Sequence, residues 1–135
     1  MESEKIDQNA DWLLENFVQA ANVSTTNIGI TLITHGYLVS GVIIGGKEYF
    51  EIMAEYSTDQ ITKDAFKSLG EDLYGNKKRE ENSETKPPTF IHLKDAKFYS
   101  TSGQPVPANA GVIWRGRINQ ISGFTVGTLE VTTNH

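Results

Sequence analysis

The sequence predicts an α+β fold: a small, strongly bent antiparallel sheet or barrel of about five strands, an N-terminal helix, and a helical insertion in the middle. Three observations predict it. Apolar residues recur at helical spacing over 11–22 and again over 49–73. The stretches 28–44 and 89–131 instead carry β-branched and aromatic residues with the period of strands. All of this is held in 135 residues without a cysteine, so a single domain over 1–135 must rest on an apolar core, not on disulfides or a thiolate metal site.

The first helix is read from DWLLENFVQAAN. Leu13, Phe17 and Ala21, with Leu14 and Val18 beside them, form a stripe at i, i+3, i+4 and i+7. Asn9 or Asp11 is placed to cap it. Residues 28–44 then change period. Ile28, Ile30 and Leu32 share one strand face, Gly36 marks a tight hairpin turn, and Leu38–Ile44 is apolar enough for a strand covered on both sides. His35 sits in the turn, with no metal-ligand spacing to another His or carboxylate.

Helical spacing returns with Tyr49, Ile52, Met53 and Tyr56. A second stripe of Ile61, Ala65, Phe66, Leu69 and Leu73 follows, with Thr58 or Asp59 as cap. Strands resume at TFIHLKDAKFYS. Strict alternation puts Phe90, His92, Lys94, Ala96 and Phe98 on one face and Ile91, Leu93, Asp95, Lys97 and Tyr99 on the other. The last strands, GVIWRGRINQIS and FTVGTLEV, join near Ser122-Gly123. Val112, Trp114 and Ile118 alternate inward, Arg115, Arg117 and Asn119 outward, and Gly116 marks a bend or close backbone approach. Residues 1–10 and 75–88 are polar, and flexibility is expected there.

Charge is uneven. Residues 1–72 carry 4 basic and 12 acidic side chains, a net of −8, and residues 73–135 carry 8 and 5, a net of +3. No apolar run approaches the ~20 residues that span a bilayer, and the acidic opening MESEKIDQNADW is unlike a secretory signal, so a cytoplasmic, non-membrane protein is expected. There is no phosphate-binding glycine loop, dinucleotide fingerprint or serine nucleophile elbow. The three histidines are far apart in sequence. Neither catalysis, a cofactor nor a metal is expected. The most pointed feature is Arg115 with Arg117, two apart on a strand and therefore about 7 Å apart on one face. They are candidate interaction residues, as are Phe17 and Val18 of the first helix. A contact between the acidic half of one copy and the basic half of another would give salt-sensitive self-association.

The phrases FIHLKDAKFY (90–99) and WRGRI (114–118), the latter followed by Gly123-Phe124 and Gly127, carry a resemblance together with Val39–Ile44 and Lys47–Phe50. In these, the chain from about Trp12 to Leu129 resembles the gas vesicle accessory protein U family. The resemblance implies an accessory role at gas vesicles: association with the shell or with other gas vesicle proteins, self-association, and promotion of vesicle clustering. It brings no catalytic residue or cofactor. The chain departs from the family pattern in ending without an extended Lys/Ser-rich basic tail. At the level of fold, ITLITHGYLVSGVIIGG and VIWRGRINQI are also similar to the two signatures of Sm-like small barrels, which implies a nucleic-acid-binding module as the alternative. The acidic balance opposes that alternative, because phosphate neutralisation needs a basic face. The Asp and Asn of the Sm-like loop after the second strand are replaced here by Gly45-Gly46-Lys47.

Overall fold

The structure, a computed structural model, describes residues 10–75, 87–100, 102 and 112–129. Residues 1–9 and 76–86, most of the two segments expected to be flexible, lie outside the described residues. In chain order the elements are α1 (Trp12–Val23), β1 (Ile28–Thr34), β2 (Tyr37–Ile44), α2 (Gly46–Tyr56), α3 (Gln60–Tyr74), β3 (Phe90–Ser100), β4 (Val112–Arg117) and β5 (Gly123–Val126). A single 3₁₀ turn, Ile118–Gln120, separates the last two strands.

Local chemistry sets several of these boundaries. Asp11 caps α1: its Oδ1 accepts from the Leu13 and Leu14 amides at 2.8 and 3.3 Å. Asp59 caps α3, accepting from the Thr62 amide and hydroxyl at 3.0 Å. Each satisfies amides that a helix start leaves without partners, worth about 1 kcal/mol. The β1–β2 hairpin closes through His35 and Gly36, both at positive φ (50° and 84°), as a two-residue turn between right-twisted strands requires.

The five strands are antiparallel in the order β4-β3-β2-β1-β5. The sheet is open, with β4 and β5 as its two edges, so the barrel alternative is not realised. The sheet is nonetheless strongly bent, as chain reach demands. From Arg117 at the end of β4 to Gly123 at the start of β5 there are six peptide steps. Three of them rise only about 2 Å each in the 3₁₀ turn, so the path covers roughly 16 Å. Four flat interstrand spacings would need about 19 Å. Arg117 also pairs with Phe90 while Gly123 pairs with Ile33, at opposite ends of the strands, which lengthens a flat path further. Ile118 and Ile121 are buried along the crossing.

One face of the sheet carries the core. Leu14, Val18 and Ala21 of α1 pack onto Ile30, Leu32, Val39, Ile43, Ile91 and Leu93. The opposite face meets the α2–α3 hairpin at β3 and the chain after β5, where the Thr31 hydroxyl donates to the Gly127 carbonyl and the Leu129 amide donates to Ser40 Oγ.

Alternation along β3 departs from the sequence expectation. The pairing register shifts between Leu93 and Ala96, and Asp95 adopts φ 54°. This bulge inserts one residue, so Ala96 and Phe98 turn to the core face with Ile91 and Leu93, instead of staying with Phe90 and His92. Aspartate is among the few non-glycine residues that tolerate the left-handed region. We expect Asp95→Gly to be near neutral and Asp95→Val to cost about 1–2 kcal/mol, a difference that urea unfolding will read directly.

Candidate functional site

The sheet edge at β3–β4 gathers the sequence's most pointed residues. Phe90 pairs with Arg117 and His92 with Arg115, so four side chains of two strands share one face. The Arg115 guanidinium carbon lies 3.7 Å from the centroid of the Phe90 ring and that of Arg117 lies 5.2 Å from it. Both fall within cation–π range, worth about 0.5–1 kcal/mol each at an exposed site. One aromatic ring thus holds two cations together against their mutual repulsion, and both arginines remain exposed.

Behind them lies a group that the sequence reading left aside. His92 is 1% exposed. Its ring packs at a tilt against Tyr49 (centroids 4.6 Å apart, 42°), meets Tyr74 edge-on (5.7 Å, 89°) and lies near Phe50 (6.5 Å). Its Nε2 accepts from Arg115 Nε at 3.2 Å, and Nδ1 finds no hydrogen-bond partner among the described residues. Burial first, and the Arg115 charge second, push the imidazole down to about 3, so it is neutral at physiological pH. A neutral acceptor is what the Arg115 contact needs, because a charged imidazolium has no lone pair to offer. His92 thereby links the exposed arginine to the aromatic packing of α2 and α3.

The helical hairpin above is acidic. Residues 46–75 carry seven acidic side chains against three lysines, a net of −4. Two surface salt bridges form among the described residues, Lys47–Glu71 between α2 and α3 and Lys94–Glu48 between β3 and α2, each at 3.3 Å. Neither uses an arginine, and each contributes at most about 1 kcal/mol. Strands β3 and β4 carry Lys94, Lys97, Arg115 and Arg117 against Asp95, a net of +3. The basic strands and the acidic hairpin thus lie side by side, joined at Lys94–Glu48, with Arg115 and Arg117 exposed outside that bridge.

The other two candidate residues divide. Val18 is completely buried on the sheet, so it is a core residue and has no surface to offer. Phe17 is half-buried, edge-on to Phe124 at 6.1 Å. Gly116, read as a close approach, is approached by the ring of Trp114 on its own strand, which leaves no room for a β-carbon. Phe90 and His92 were the residues missed. The signal was their shared parity with each other, but only the strand register joins them to Arg115 and Arg117.

Among the described residues, no group of three or more His, Asp or Glu is placed to hold a metal ion, and no helix is long and apolar enough to cross a membrane. These features define a small α+β domain whose candidate site is an exposed cationic patch, braced by aromatic rings, on one sheet edge. Residues 11–129 match the family described as "Gas vesicle protein GvpU-like". The chain belongs to that family, which makes it a gas vesicle-associated protein. No curated protein and no solved structure matches it.

Proposed function

We propose that this chain is a non-catalytic, cytoplasmic accessory protein that binds gas vesicles, self-associates and promotes their clustering. Family membership over 11–129 supports the vesicle association. The observation that carries self-association is the distribution of charge: strands β3 and β4 at net +3, with Arg115 and Arg117 exposed, and the α2–α3 hairpin at net −4. A contact between the edge of one copy and the hairpin of the next is heterologous, and such a contact propagates from copy to copy unless its rotation closes a ring. Copies seated on two vesicles would bridge them in this way. Phe17 adds a smaller apolar surface on α1.

The test is light scattering on the full chain. Wild-type protein should show an apparent mass above that of the monomer at low ionic strength and lose it as the Debye length falls from about 10 Å at 0.1 M salt to about 3 Å at 1 M. Arg115→Glu combined with Arg117→Glu should be monomeric at both. Unchanged association in the double variant removes the arginine edge from the contact. Flotation of the same proteins with purified vesicles then reads vesicle binding separately.

A further inference from the structure

The outer face of α3 carries a feature that the charge-separation contact leaves unused. Ile61, Ala65, Leu69 and Leu73 fall at i, i+4, i+8 and i+12, one continuous row along a little over three turns. The spacing reads as a core stripe, yet Ile61 is 82% exposed, Leu69 43% and Leu73 54%, and Ala65 is also exposed. What α3 turns inward is the opposite side: Gly70 is buried against Phe50, and Phe66 and Tyr74 are half-buried and packed against the Phe50 ring. The hairpin is thus complete without the row.

The remaining chain holds little that would cover it. Outside the described residues the large aliphatic side chains are Met1, Ile6, Val106 and Val131, too few and too scattered to match four apolar positions at helical spacing. The rim of the row is acidic. Asp64 precedes Ala65 and Asp72 precedes Leu73, both exposed, one turn from Ile61 and Leu69 on the same side. Pairing this face with a second copy of itself would bring those aspartates together, and like charges across an apolar contact are costly. A face that is apolar along its centre and negative along its edge fits a complement of the opposite kind.

We infer that the outer face of α3 is a docking surface for a basic amphipathic helix of a partner protein, one with aliphatic residues at i, i+4 and i+8 flanked by Lys or Arg. The partner inserts its apolar row beside Ile61, Leu69 and Leu73 and sets its cations against Asp64 and Asp72. Rows of the i±4 type interdigitate at a crossing angle of about 50°, so contact covers two to three turns, and the binding is salt-sensitive and reversible. The inference does not depend on the arginine edge.

The experiment titrates the full chain with a labelled 18-residue helical peptide bearing leucines at i, i+4, i+8 and i+12 and flanking lysines. One control carries glutamate in place of lysine and another has the same composition scrambled. Amide chemical shifts identify the surface. The expected result is binding of the lysine peptide alone, with shifts confined to residues 60–74. Ile61→Ser with Leu69→Ser should weaken it at least tenfold, equivalent to about 1.4 kcal/mol, with an unchanged circular dichroism spectrum. Asp64→Lys with Asp72→Lys, which leaves the apolar row intact, should weaken it likewise and admit the glutamate peptide. Equal binding of the scrambled peptide, shifts centred elsewhere, or an α3 row already paired between two copies in the free protein would overturn the inference.

Discussion

Replacing His92 by phenylalanine should flatten the acid limb of this protein's stability. The imidazole sits inside an aromatic box of Tyr49, Phe50 and Tyr74, and is pushed down to about 3 by burial and by Arg115. An unfolded histidine titrates near 6.5. Below that pH the unfolded chain takes up a proton that the folded chain refuses, so folding loses free energy as pH falls. The stabilisation is complete above 6.5 and drains away down to about 3, at up to about 1.4 kcal/mol per pH unit. Between pH 7.5 and 4.5 the wild-type protein should lose roughly 2.5 kcal/mol through this one group. The carboxylates titrate in both proteins and cancel in the comparison. His92→Phe keeps a ring in the box, gives up the Arg115 hydrogen bond, and has nothing to protonate. Urea denaturation of the two proteins at both pH values reads the difference. Parallel losses would mean that His92 is not held neutral in the folded protein.

How much of this was legible in the chain follows from which contacts are local. The two aspartate caps, the His35-Gly36 turn and the succession of helix, hairpin, helices and strands come from short-range chemistry, and the residues announce them. The arginine pair was legible too, because two residues apart on a strand means one face. What escaped was set by partners far away in sequence. Nothing near Asp95 announces the bulge, since its left-handed backbone is fixed by pairing with β2 and β4; one inserted residue then moved Ala96 and Phe98 to the core. Phe90 and His92 joined the site only through their register with β4. The stripe of α3 was read correctly as apolar, but periodicity does not say which face meets the sheet, and the tertiary packing chose the side of Gly70 and Tyr74. Val18 and Phe17, neighbours on one helix, parted for the same reason.

The tightest contact on the side of α3 that does pack is the one between Tyr74 and Gly46. Gly46 opens α2, and its amide donates to Asn22 Oδ1 at the end of α1 at 2.9 Å. The Tyr74 ring lies directly over it, so a β-carbon at position 46 would stand inside the ring. Retreat of Tyr74 would break its packing on Phe50 at 6.2 Å and its edge-on contact with His92. Helix propensity alone would make Gly46→Ala stabilising by up to about 1 kcal/mol. We expect the opposite, a loss of about 1–3 kcal/mol, because overpacking against a wedged aromatic ring outweighs propensity. Tyr74→Leu should also destabilise, by opening space beside His92. The two changes should not add. With the ring gone the methyl introduced by Gly46→Ala has room, and the double variant should recover about 0.5–3 kcal/mol relative to the sum of the singles. Denaturant unfolding of the four proteins closes this cycle, and hydrogen exchange of the α3 amides shows whether the loss is local to the hairpin. Additive effects, or a stabilising Gly46→Ala, would mean that Tyr74 does not seal α3 onto α2. The hairpin would then be held over β3 by Tyr49 and Phe50 against His92 and by Lys94–Glu48 instead.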